Sequence, residues 1–141
     1  MRISTDPLEL DVSLIHDFLS KTSYWAKGIP RDVVQRALEP SLCFGGYLGH
    51  RQVAFARVIS DFATFANLVD VFVVPECRGL GYGKQIITAV MSHPQLQGLR
   101  RFTLATADAH DLYAQFGFKP LARPDRFMER YFPEIYANPS P

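Results

Sequence analysis

The chain has 141 residues, 48% of them hydrophobic and 21% charged, with a formal net charge of +1, which suits a single domain over residues 1–141 with one proper core. So even a balance excludes the basic face that nucleic acid needs. No apolar run approaches the roughly 20 residues of a membrane span, and the opening MRISTDPLELD lacks the apolar stretch of a secretory signal. Cys43 and Cys77 stand far apart, outside any CxxC spacing, so both are expected as free thiols in a reducing cytoplasm.

In chain order, residues 2–5 read as a short strand that Pro7 ends. Asp11 suits the cap of a helix carrying Leu14, Ile15, Phe18 and Leu19 on one face. The loop SYWAKGIP follows, and Pro30 then opens a second helix whose apolar face is Val33, Val34, Ala37 and Leu38. Residues 42–48 and 53–60 are strand-like and joined by the hairpin signal Gly49-His50-Arg51. A strand over 67–74 leads into a glycine-rich loop, and Ile86, Ile87, Val90 and Met91 keep helical spacing until His93-Pro94. A strand over 101–106 and a short helix over 109–116, with Gly117 just past its end, come next. Residues 118–121 and 127–131 read as two closing strands, and the tail NPSP is expected to fray. A hairpin-rich first half followed by a strand–helix–strand unit predicts a mixed sheet with helices on its faces.

The stretch VFVVPECRGLGYGK (71–84) carries the chemistry. It is no Walker A loop, because Arg78 takes the place of the first glycine and Gln85 that of the Ser/Thr. It is no GxGxxG either, because Lys84 follows Gly79-Leu80-Gly81-Tyr82-Gly83. Glycines without Cβ can still let a diphosphate approach main-chain N–H groups at a helix start, where the dipole favours an anion. Arg78 and Lys84 add positive charge there. Read without its surroundings, the same loop could serve only a tight strand-to-helix turn.

Residues 71–84 resemble motif A of the GNAT superfamily of acetyl-CoA-dependent N-acetyltransferases, Arg/Gln-x-x-Gly-x-Gly/Ala. AHDLYAQFGF at 109–118 resembles that superfamily's motif B, A-x-x-L-Y-x-x-x-G-F, at the expected separation. The resemblance implies an α/β GNAT fold: a mixed, mostly antiparallel sheet of about six to seven strands splayed into a V, with about four helices. It implies acetyl-CoA as donor co-substrate, its pantetheine arm along the main chain of Val71, Phe72 and Val73. The pyrophosphate would sit on amides from Gly79, Leu80, Gly81, Tyr82, Gly83 and Lys84, beside Arg78. A main-chain N–H near Val73 would polarise the acetyl carbonyl. Tyr113 matches the motif B tyrosine, the general acid for the departing thiolate; its other reading is a core tyrosine beside Leu112 and Phe116.

The sequence departs from the superfamily pattern in places. Thr106 stands where many members carry asparagine, with Asp108 placed to cap the helix instead, and Ala105 stands where some carry a base glutamate. Asp70, a carboxylate inside the apolar run LVDVFVV, is the leading candidate base. It lies on the face of Phe72 unless a bulge intervenes, and its alternative is a pairing with an arginine such as Arg57. Asp61 is a second choice. The superfamily's direct transfer in a ternary complex makes Cys43 and Cys77 structural. The loop between the first two helices commonly walls the acceptor pocket in this superfamily, which puts Tyr24 and Trp25 against substrate or makes them a seal over the sheet. His16, His93 and His110 have no metal-ligand spacing, so no metal is expected. The implied function is acetyl transfer to a primary amine of an unnamed acceptor; the alternative is a non-catalytic acyl-CoA sensor on the same fold. Dimerisation is common in the superfamily, and no residue here decides for or against a homodimer.

Overall fold

The computed structural model describes residues 1–137, so the expected fraying at 138–141 falls outside the described residues. Strands β1 (Arg2–Ser4), β2 (Leu42–Leu48), β3 (Arg51–Ser60), β4 (Phe65–Val73) and β5 (Arg101–Leu104) lie in that order in one sheet. The first three pairings are antiparallel and β4–β5 is parallel. A parallel neighbour needs a crossover, and α3 (Tyr82–Ser92) supplies it. The fold class is therefore as expected, with a correction to the strand count: five strands among the described residues, not six to seven. Residues 118–121 and 127–131 form none. Pro120 and Pro124 have no N–H to give a ladder, and Pro124–Arg126 is a 3₁₀ turn instead.

The helices α1 (Val12–Asp17) and α2 (Arg31–Leu38) cover one face of the sheet, while α3 and α4 (His110–Ala114) cover the other. Asp11 caps α1 as expected, its Oδ1 accepting the Leu14 N–H at 3.0 Å. On the first face Ile15, Phe18, Leu19 and Val34 pack with Phe55, Phe72 and Val74. On the second, Ile86, Ile87 and Val90 pack with Ala54, Ala66, Leu68 and Tyr113.

One strand serves both faces by breaking its own period. Ala66 and Leu68 face α3, whereas Phe72 and Val74, of the same parity, face α1. A strict two-residue repeat would put all four on one side. The break is a β-bulge: Phe72 pairs with Phe55 but Val69 with Arg57, so Asp70 and Val71 together oppose Ala56. Asp70 takes φ +56° there, a left-handed conformation that Asp tolerates better than most residues.

Asp61, the second-choice base, belongs to the β3–β4 turn. Its Oδ1 accepts the N–H groups of Ala63, Thr64 and Phe65, and its Oδ2 accepts the Thr64 hydroxyl. These bonds, the Thr64 hydroxyl first, hold its carboxyl well below the ordinary 3.8. A depressed folded value means stabilisation that is present above the unfolded value and lost as pH falls through the folded one. Asp61→Ala is accordingly expected to lower the melting midpoint at neutral pH, with the gap to wild type narrowing in acid. A gap that stays constant in melting curves down to strongly acid pH would contradict this account.

Candidate active site

The opening begins where β5 stops. Its pairing with β4 runs from Phe65–Arg101 to Leu68–Leu104 and ends there. Thr103 donates its hydroxyl to Asn67 Oδ1 at 2.9 Å, clipping the strands together one residue before they part. From Val69 onward β4 keeps β3 on one side and, among the described residues, has no strand on the other. The Val74 N–H donates to Val53 O at 2.9 Å. Antiparallel alternation then turns the N–H and C=O of Val73 away from β3, into the opening.

The glycine loop closes the lower end of that opening. Gly79 (φ +80°) and Gly81 (φ +84°) are left-handed, and a Cβ on either would meet nothing within 4 Å. Their bare backbone therefore answers to geometry, where a side chain would cost about 1–2 kcal/mol, and leaves a hollow in front of them. Gly81 is the N-cap of α3, with no side chain capping it. Gln85 is the first residue after the loop whose N–H finds a carbonyl, that of Gly81 at 3.1 Å. The N–H groups of Gly79, Leu80, Gly81, Tyr82, Gly83 and Lys84 have no acceptor among the described residues. Six adjacent donors at a helix N-terminus are what an anionic diphosphate requires. Arg78 is partly committed, its Nε donating to Val73 O at 3.1 Å and tying the loop to the strand end. Lys84 is exposed on the first turn of α3.

Tyr113 stands on α4, just after a turn that Thr106 holds. The Thr106 hydroxyl accepts the N–H groups of Asp108 (3.4 Å) and Ala109 (3.1 Å) in that turn, and the expected cap by Asp108 is not formed: Ala109 is the N-cap of α4, without a side-chain bond. A Thr hydroxyl that bonds backbone N–H groups two and three residues on is a local turn signal; the sequence reading weighed Thr106 only as a missing asparagine. Tyr113 is 8% exposed and edges Phe118 at 6.1 Å. Burial pushes its phenol from 10.0 up to about 12, with Tyr24 and Asp108 adding to the shift. The structure thus brings Tyr24 to the segment that leads into α4, which the sequence separates from it by most of the chain.

Asp70 has a partner on each oxygen. Trp25 Nε1 donates to Oδ1 at 2.8 Å, and Arg57 Nε donates to Oδ2 at 2.9 Å. Both charged side chains are well covered, at 15% exposure for Arg57 and 11% for Asp70. Arg57 is held in turn by Ser41, whose Oγ accepts from its Nη1 at 3.2 Å. Removing one member of such a covered pair typically costs about 3–5 kcal/mol, because the other is left uncompensated. The bulge keeps Asp70 on the Phe72 face, through Trp25, Phe18 and Phe72: Phe18 lies 6.4 Å from Trp25 and stacks on Phe72 at 4.0 Å. Tyr24 edges Trp25 at 5.0 Å, and its phenol oxygen accepts the Ala107 N–H at 2.9 Å.

The family model for the acetyltransferase (GNAT) domain matches residues 39–120, from the start of β2 through motif B. The chain belongs to the GNAT family. A GNAT structure from Xanthomonas campestris pv. campestris, described as a candidate acetyltransferase, is 60% identical to this chain. It has a TM-score of 0.96 and covers 97% of this chain and 96% of that one. A Gibberella zeae protein named as a candidate acetyltransferase is 33% identical over 135 residues, spanning 80% of this chain and 75% of the relative. The GNAT fold is also shared, at 18% identity and a TM-score of 0.68, by a Mycobacterium tuberculosis protein solved in complex with CoA. That match covers 86% of this chain and 73% of the other. Membership of this acetyltransferase family supports an acyltransferase enzyme. Among the described residues, no group of three or more His, Cys, Asp or Glu side chains could hold a metal ion. No described helix is long and apolar enough to cross a membrane.

Proposed function

We propose that this GNAT protein moves the acetyl group of acetyl-CoA to a primary amine by direct transfer, donor and acceptor being bound together. The observation that carries the reading is the row of six unsatisfied amides in front of two left-handed glycines, beside a strand edge with no neighbour. Acetyl-CoA supplies an acyl group already activated as a thioester. The amides from Gly79 to Lys84 hold its diphosphate, with Lys84 adding charge, and Arg78 braces the loop against Val73. The open edges of Val71 and Val73 offer main-chain groups to the amide-bearing arm, as a neighbouring strand would, with Phe72 packed behind them. The N–H of Val73 points where a carbonyl oxygen gains negative charge. The acceptor enters along Tyr24 and Trp25 as a neutral amine. As its nitrogen bonds the acetyl carbon and the carbon–sulfur bond breaks, Tyr113 gives its proton to the departing sulfur, and the proton shed by the nitrogen passes to solvent, which restores the phenol. The Mycobacterium tuberculosis neighbour in complex with CoA supports the donor side of this reading. Cys43 and Cys77 are both free and buried, and burial pushes the Cys43 thiol up to about 11, which suits structural thiols in a reducing cytoplasm.

The test is a panel of amines (amino acids, polyamines, aminoglycosides, peptide N-termini and lysyl peptides) assayed for release of CoA thiol from acetyl-CoA. Release well above background hydrolysis with at least one class is expected. Tight acetyl-CoA binding with no release across the panel would instead favour a sensor that binds acyl-CoA without turnover.

A further inference from the structure

We propose that Arg57, Asp70 and Trp25 form one positioning chain, which holds the loop at residues 23–28 as a strap across the opening between β4 and β5. Asp70 then acts on the acceptor through Trp25 rather than on the amine itself. The proposal rests on the acyl-transfer reading of the cleft and deepens it on the acceptor side.

The strap is tied at two places. One is the β4 bulge, where Trp25 Nε1 reaches Asp70 across 45 residues of sequence. The other is the connection from β5 to α4, where Tyr24 takes the Ala107 N–H across 83 residues. These are the two sides of the region where β4 and β5 no longer pair. A loop that merely sealed the core would bury its rings, yet Tyr24 is 60% exposed and Trp25 42%. Rings this exposed are not locked in direction by burial alone, so the polar ties set where they point. The chain that does so starts from a rigid point: Ser41 and Asp70 share the Arg57 guanidinium, and Asp70 is locked in the bulge at φ +56°. The loop's departure from α1 is set as well. The last turn widens at Phe18–Thr22, with Ser23 N–H on Phe18 O at 2.9 Å and the Ser23 hydroxyl on Leu19 O at 2.6 Å. Such widened turns recur where a helix must aim a functional residue.

The chain has one tryptophan, so Trp25 fluorescence reports the strap directly. In Asp70→Asn a single amide oxygen must serve two donors, so Arg57 or Trp25 loses its partner. In Tyr24→Phe the second tie is cut. Acrylamide quenching of Trp25 is expected to rise about twofold or more in both variants, while CoA affinity by calorimetry stays within about twofold of wild type. If Asp70→Asn does not fold, Tyr24→Phe decides. Unchanged quenching in the folded variants overturns the proposal. With an amine that turns over, Trp25→Phe and Asp70→Asn should raise the acceptor KM about tenfold and leave the pH–rate profile parallel to wild type. A loss of kcat with the acid limb abolished and KM unchanged would make Asp70 the base and overturn it too. Wild-type protein that fails to bind CoA would strike the acyl-transfer reading, whereas unchanged quenching strikes the strap alone.

Discussion

Gly81→Asp is expected to weaken acetyl-CoA binding by at least about 100-fold in calorimetry, with the protein still folded. Two effects act at this position and can be separated. The first is conformational: Gly81 sits at φ +84°, and an L side chain there costs about 1–2 kcal/mol, least for Asp and Asn. The second is electrostatic. The new carboxylate stands at the head of α3 among the unsatisfied amides, where it would satisfy donors otherwise available to the diphosphate and repel it. Each charge-assisted hydrogen bond is worth about 1.5–3 kcal/mol, so losing one or two accounts for the expected loss. Gly81→Ala isolates the first effect. Its Cβ meets nothing within 4 Å, so it should cost CoA affinity less than about tenfold, mainly through backbone strain. Unchanged affinity in a folded Gly81→Asp protein would mean that the diphosphate binds elsewhere.

That glycine loop was the most legible part of the molecule, because its signal is local. A Cβ on Gly79 or Gly81 would meet nothing within 4 Å, so backbone conformation and access explain them, and both can be read from a short stretch. The order of elements was legible for the same reason: caps such as Asp11 and breaks such as His93-Pro94 act over one helical turn. The closing strands misled because 118–121 and 127–131 carry aromatic and apolar residues (Phe118, Leu121, Phe127, Met128, Tyr131), yet Pro120 and Pro124 withhold ladder donors nearby. A strand is a property of two segments, and no pattern in one of them reports the missing partner.

The acceptor side was less legible because its contacts are long-range. Asp70 looked expensive inside an apolar strand, and the sequence named Arg57 as one possible partner, but nothing near either residue points to Trp25. The bulge that admits Asp70 also reverses which face of β4 is buried, a change visible only as a shift in pairing with β3. The tie from Tyr24 to Ala107 uses a backbone N–H, which carries no residue identity at all. Thr106 was within reach of sequence reasoning, since a hydroxyl that bonds N–H groups two and three residues on is a local turn signal.

Tyr113→Phe is expected to lower kcat by about 100- to 1,000-fold while leaving acetyl-CoA affinity within about twofold, because a positioned acid works on the reaction and not on binding. The phenol, pushed up to about 12 by burial, lies about 3.5 units above an ordinary thiol near 8.5, so complete proton transfer to a free thiolate would be uphill by about 5 kcal/mol. That argues for transfer as the carbon–sulfur bond breaks rather than before it, and predicts a solvent isotope effect in wild type that the Phe variant loses. The same shift fixes the pH dependence. A phenol at about 12 stays protonated throughout an assay from pH 7 to 10, so Tyr113 gives the rate no falling basic limb there. Stability moves with the opposite sense. The unfolded phenol ionises near 10.0 and the folded one only near 12, so wild type loses stability as pH rises between these values while Tyr113→Phe is spared that loss. A melting curve on the Phe variant at neutral pH should sit close to wild type, since the ring keeps its place against Phe118. Equal turnover in the two proteins would make Tyr113 a core residue of α4 and leave solvent to protonate the departing sulfur.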